Sequence, residues 1–288
     1  MRLAVLGMGR MGHAVAERLL DRDHDVTVWN RSPHRADDLI DRGATEAPTP
    51  AAAAEQAEAT FTSLTDDTAV RAVVTGPDGV SAGLGDGVLI DTSTVSPQTT
   101  AELAEAVGGR LLASPILGSP TAVLRGEAGY LIGGPRELYD RLAPAYEALA
   151  EEGRRIYVGE HAALATTLKL ISNYLLMSGI VALSEAVVTA QAVGLPDELI
   201  RDYLGQLPLV APALRNRLDD IVSGDHDGWF STSLGAKDVR LAEDLARSHG
   251  VQLPLAGAVK RRYEEAAAQG WADADIGAVV ELLRTRSR

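Results

Sequence analysis

The 288-residue sequence predicts an α/β N-terminal domain followed by an all-α C-terminal domain, the two joined by a long interdomain helix. Three observations predict this. Short apolar runs alternate with amphipathic stretches up to about Gly159, the rhythm of a mostly parallel sheet covered on both faces. Beyond that point the strand pattern stops. Between the halves stands one long apolar helical run instead of a Gly/Ser tether.

The strands are expected at Leu3 to Leu6, Val26 to Trp29, Thr60 to Leu64, Val88 to Ile90, Arg110 to Leu112, Tyr130 to Ile132 and Ile156 to Val158. Each is short and rich in Leu or β-branched residues. Thr49-Pro50 and Ser96-Pro97 each set a capping hydroxyl before a proline at the first helical position, so both mark helix starts. The run from about Ala162 to Ala192 shows helical spacing through Leu164, Leu168, Ile171 and Leu175, and further helices open at Pro196, Pro212 and Pro254. At about 1.5 Å per residue the long helix would exceed roughly 40 Å, enough to join two domains. Boundaries at 1–160 and 161–288 follow.

Composition narrows the function classes. A net charge of -13 gives a surface that repels phosphate backbones and anionic membranes, and Arg261, Arg262, Arg284, Arg286 and Arg288 are too dispersed to offset it. Neither nucleic acid nor membrane is expected as a partner. The chain contains no cysteine, which removes thiolate chemistry and most structural zinc sites and is simplest in a reducing cytoplasm. The first strand starts too early for a signal peptide. Lys169, Asn173, Glu185 and Gln191 interrupt the run between His161 and Val193, which is therefore expected to be a buried helix of a soluble protein. The histidines show no ligand spacing, and Asp225-His226-Asp227 reads as a solvated loop, so no metal is expected.

Gly7-Met8-Gly9-Arg10-Met11-Gly12 follows an apolar strand and opens an amphipathic helix, the context that a dinucleotide-binding Rossmann turn requires. Gly7 permits the tight turn, Gly9 admits the pyrophosphate to the backbone and Gly12 lets the helix pack close, with the helix N-terminus donating to the phosphates. At the end of the second strand an NAD site places a carboxylate for the ribose hydroxyls. Here the residues are Asn30, Arg31 and Ser32. A cation and hydroxyl suit a 2′-phosphate, so NADPH is favoured over NADH.

Reduction of a carbonyl needs a positioned acid. Lys169, in an apolar run, is the candidate, and Asn173 shares its helical face one turn on. Partial desolvation of the lysine would suit it to proton exchange near neutrality.

These segments resemble the β-hydroxyacid dehydrogenases, a family that includes 3-hydroxyisobutyrate dehydrogenase, glyoxylate/succinic semialdehyde reductase and 6-phosphogluconate dehydrogenase, with imine reductases more distant. The resemblance is carried by GMGRMGHAVAERLL, VWNRS, LTDD at Leu64 to Asp67, DTSTVSP at Asp91 to Pro97, KLISN at Lys169 to Asn173, and FSTSLGAKDVRLA at Phe230 to Ala242. It implies that Lys169 is the catalytic lysine, Asn173 a substrate-orienting asparagine, Thr94 a neighbour of the nicotinamide and Lys237 a lysine of the helical domain that contacts the cofactor or closes the cleft. Leu64 and Thr65 fall with the cofactor residues, and Phe230 and Asp238 near the active site. It also implies a homodimer or homotetramer formed through the helical domain.

One segment departs from the family. Where a DAPVSGG-like stretch holds the substrate, this chain has Ala113-Ser114-Pro115-Ile116-Leu117-Gly118-Ser119. Ser114, Leu117, Gly118 and Ser119 are the substrate candidates. Leu117 replaces the expected serine and either makes the pocket less polar or is a structural leucine turned into the core, while Ser119 offers a hydroxyl two residues later. The leading expectation is an NADPH-dependent oxidoreductase acting on a small carbonyl or 3-hydroxy acid. An imine reductase is the alternative, although a protonated Lys169 would repel an iminium. A non-catalytic NADPH-binding sensor is the alternative of another class.

Overall fold

The computed structural model describes residues 1–284; Arg286 and Arg288 lie outside them. Contacts divide the chain into two compact units, Met1–Lys169 and a second that begins at Leu170. The division falls inside the long helix, nine residues after the boundary expected from the strand pattern.

The first unit is built on a sheet of nine strands among the described residues: β1 (Arg2–Leu6), β2 (Asp25–Trp29), β3 (Thr45–Glu46), β4 (Ala59–Thr62), β5 (Val88–Asp91), β6 (Leu111–Ala113), β7 (Ile116–Leu117), β8 (Gly129–Gly133) and β9 (Arg155–Gly159). Their order is β3-β2-β1-β4-β5-β6-β8-β7, with β9 beside β8. The sheet is parallel from β3 to β6, whereas β8 runs antiparallel to β6 and β7. Alternation along β1 sends Leu3 and Val5 into one apolar cluster and Ala4 and Leu6 into another. Each face of the sheet therefore has its own core, the arrangement that a sheet covered on both sides demands. Thr49 and Ser96 cap their helices as expected, accepting the N–H groups of Ala52 and Thr99.

The second unit contains helices and one isolated bridge, Ser231 to Asp275, among its described residues. Its core gathers Met177, Ile180 and Val187 of the long helix Ala162–Ala192 with Val239 of the helix Thr232–Ser248 and Val259 and Tyr263 of the helix Pro254–Ala266.

The long helix corrects one expectation. Only 28% of its most apolar stretch is buried, and among the described residues it is the one helix long and apolar enough to cross a membrane by length and composition. Leu164, Leu168, Ile171 and Leu175 are 42%, 40%, 48% and 64% exposed. The buried face instead carries Ala165, Leu170, Met177 and Ile180. A helix apolar all round gives no periodic contrast, so spacing alone could not tell the covered stripe from the uncovered one.

Candidate active site

The glycine turn is fixed by contacts that leave no room for side chains. Gly7 has φ +97°, and a Cβ there would strike the Ser63 carbonyl oxygen; a Cβ on Gly12 would strike the Gly7 carbonyl. Gly9 is different. A Cβ there meets nothing within 4 Å, and no side chain caps the helix Arg10–Leu20 that Gly9 opens. Buried Met8 donates its N–H to Asn30 Oδ1 at 2.9 Å, and Asn30 Nδ2 donates to the Ser32 carbonyl at 2.8 Å. Arg10, Arg31 and Ser32 are exposed and Met11 is half-buried. A dinucleotide fits these residues, because an uncapped helix end beside an open Gly9 accepts a pyrophosphate. Residues 26–36 contain no carboxylate to oppose a further phosphate.

The next loops at the carboxyl edge of the sheet hold Leu64, whose N–H donates to Ser93 Oγ at 3.0 Å, exposed Thr65 and half-buried Thr94. Between them lies a residue that the sequence reading passed over. Asp91 ends β5 and is 2% exposed; its Oδ1 accepts the Thr62 hydroxyl at 2.8 Å and the Ser93 N–H at 3.1 Å. Burial pushes its carboxyl up to about 6 although these donors oppose the rise. The available signal was a carboxylate directly after the apolar run Val88 to Ile90, where a strand of a parallel sheet reaches its carboxyl edge.

Lys169 is half-buried, and its Nζ donates to the Ile116 carbonyl at 2.7 Å. The first unit thus brings Lys169 to the 114–119 segment through the main chain. Within that segment Leu117 is half-buried against Ala113, Leu131 and Ala165, and Gly118 takes φ +153°. Ser119 Oγ caps the helix Pro120–Arg125 by accepting the Ala122 N–H at 3.1 Å. Ser114 is fully buried. Its hydroxyl sits near that of Tyr146 and opposes the rise that burial causes there, yet neither oxygen has an aligned hydrogen-bond partner. Its side chain is therefore turned into the core of this unit.

In the second unit Asn173, 4% exposed, donates through Nδ2 to Asp238 Oδ2 at 2.5 Å. Lys237 Nζ stands 3.0 Å from Asp238 Oδ1, an ion pair without the alignment of a hydrogen bond. Asn173, Lys237 and Asp238 are thus one cluster. Phe230 is 9% exposed and stacks on Trp229 at 5.8 Å within the helical core, while its N–H donates to Asp275. Among the described residues no group of three His, Cys, Asp or Glu is disposed to hold a metal.

The model for the NAD binding domain of 6-phosphogluconate dehydrogenase matches residues 2–159, and that for the NAD-binding region of NADP-dependent 3-hydroxyisobutyrate dehydrogenase matches residues 163–283. With the fold and the glycine turn, these matches define an NAD(P)-dependent oxidoreductase acting between CH–OH and C=O. The chain belongs to the β-hydroxyacid dehydrogenase family. It is 30% identical over 288 residues to glyoxylate/succinic semialdehyde reductase 1 of Arabidopsis thaliana, covering 99% of both chains. The structure of Mycobacterium tuberculosis 3-hydroxyisobutyrate dehydrogenase with L-serine is similar at TM-score 0.85 and 26% identity, with 98% of this chain and 99% of that one covered. A Streptomyces aurantiacus imine reductase shows the same coverages and 26% identity at TM-score 0.65.

Proposed function

We propose that this enzyme is an NADPH-dependent reductase or dehydrogenase that interconverts a small carbonyl compound and its 3-hydroxy acid or alcohol. The observation that carries the reading is the hydrogen bond from Lys169 to the Ile116 carbonyl, which sets a proton donor beside the segment where the family holds substrate. When bound, the nicotinamide supplies or accepts the hydride. Lys169 gives its proton to the substrate oxygen as negative charge grows there and recovers it in the reverse direction. Asn173, fixed by Asp238, orients the substrate. An ammonium at this position favours a developing alkoxide and disfavours a cationic iminium, which ranks carbonyl chemistry above imine reduction.

Asn30, Arg31 and Ser32, with no carboxylate nearby in sequence, support NADPH as the preferred cofactor. Leu117 packs against Ala113, Leu131 and Ala165, so it withdraws the hydroxyl that the family places there without itself choosing the substrate. The uncovered stripe Leu164, Leu168, Ile171 and Leu175 supports a homodimer or homotetramer, because an apolar patch of this kind marks an interface.

The test is initial rates of NADPH oxidation with glyoxylate, succinic semialdehyde and a cyclic imine, for wild type and Lys169→Ala. Aldehyde turnover that falls by about 10²-fold or more in the variant, with NADPH affinity kept, is expected. Turnover of the imine alone would assign imine reductase chemistry, and no turnover of any substrate despite NADPH binding would favour a sensor.

A further inference from the structure

The ends of four strands of the first unit are linked, directly or one contact removed, around one buried residue, Asp91. Thr62 and Asp91 are directly paired in the β4–β5 register, and Asp91 Oδ1 accepts both the Thr62 hydroxyl and the Ser93 N–H. Ser93 Oγ in turn accepts the Leu64 N–H. Thr92 returns its N–H at 2.9 Å and its hydroxyl at 2.7 Å to the Thr62 carbonyl. The Asp91 carbonyl receives the Ser114 N–H at 2.7 Å, which ties in the loop after β6. Ser63, between Thr62 and Leu64, lays its carbonyl against Gly7 of the loop after β1. Thr62, Asp91, Thr92 and Ser93 are each less than a tenth exposed.

Ionising a carboxyl in such a place is unfavourable, as its raised acidity range records. No proton-transfer step assigned to Lys169 uses it. What the carboxylate does is hold two donors on one oxygen and, through Ser93, a third group on the neighbouring loop. We propose that Asp91 is a positioning residue for cofactor binding, acting with Thr62 and Ser93 to hold the main chain at Leu64, Thr65 and Thr94 preformed against the Gly7 turn. Loops ordered before the cofactor arrives spare the complex the entropy of ordering them. The inference rests on the family reading that Leu64, Thr65 and Thr94 face the dinucleotide.

The test titrates NADPH and NADH, by nucleotide fluorescence, into full-length wild type, Asp91→Ala, Asp91→Asn, Thr62→Val and Ser93→Ala, at a temperature well below each unfolding midpoint. Asp91→Ala is expected to weaken the tighter-binding nucleotide roughly tenfold, and Ser93→Ala and Thr62→Val roughly threefold to fivefold, the scale of one lost hydrogen bond each. The cofactor KM should rise in step while kcat at saturating cofactor stays within about twofold, since no transition-state contact is removed. Asp91→Asn offers the same acceptor oxygen and should restore affinity to within about twofold of wild type. Variants that lose thermal stability yet bind like wild type would reduce Asp91 to a structural role and overturn the proposal. Should Asp91→Ala fail to fold, unchanged affinity in both Ser93→Ala and Thr62→Val would overturn it equally. A wild type that binds neither nucleotide would overturn the cofactor reading itself, and the positioning role with it.

Discussion

Asn30 is a brace for the glycine turn: its Oδ1 accepts the Met8 N–H at 2.9 Å, so the end of β2 and the loop after β1 are held as one piece. Asn30→Asp keeps an acceptor for Met8 but adds a charge that opposes a 2′-phosphate. Its NADPH affinity should fall by about tenfold or more while NADH affinity changes little, and Arg31→Asp should do the same. Paired titrations with the two nucleotides check this, and equal losses for both would refute the 2′-phosphate assignment.

Arg217 and Asp275 form an ion pair that is 5% and 3% exposed, with Nε 2.8 Å from Oδ1. Asp275 also accepts the N–H groups of Phe230 and Gly277, and the guanidinium lies 4.9 Å from the Trp229 ring centre. Removing one partner strands a buried charge, so Arg217→Ala should cost about 3–5 kcal/mol in urea unfolding. A loss below about 1 kcal/mol would mean that water reaches the pair.

Asp91 makes stability depend on pH in a defined sense. Its folded value of about 6 lies above the value near 4 of an unfolded aspartate. The native state therefore holds this proton more tightly, a contribution complete below about pH 4 and lost as pH rises through 6. Asp91→Asn has no proton to lose and should gain on wild type across that window by up to about 3 kcal/mol. Calorimetry at pH 4 to 8 measures it, and a difference flat with pH would contradict the raised value.

The stripe on the long helix predicts its own outcome. If the proposed homo-oligomer forms through this stripe, wild type should scatter light as a dimer or tetramer and Ile171→Lys with Leu175→Lys as a monomer, because each lysine would bury a charge under the second copy. On the monomer these sites are 48% and 64% exposed, so the folded protomer should lose no more than about 0.5 kcal/mol each. A variant pair with unchanged mass would place the interface elsewhere.

Seven of the strands were legible because short runs rich in Leu, aromatic and β-branched residues between helical patterns leave few alternatives. β3 and β7 were not, since two residues carry no period. The long helix was legible in extent, from Ala162 to Ala192, but not in which face it covers. Lys169 and Asn173 could be singled out as polar residues one turn apart in an apolar run. Their partners could not, because one is a main-chain carbonyl 53 residues away and the other a carboxylate 65 residues away, distances that only the folded chain closes. Asp91 escaped notice because its donors lie on a neighbouring strand and within its own turn, and no local pattern announces such a hub.

The interlock of Gly7, Gly12 and Ser63 has a consequence for how this enzyme can change. Main-chain atoms occupy the space that a methyl group would need at either glycine, so these two positions offer selection nothing to adjust. On the proposed reading, drift in cofactor preference would be written a strand away, at the end of β2, where the exposed Arg31 and Ser32 can be exchanged without disturbing the turn that Asn30 supports.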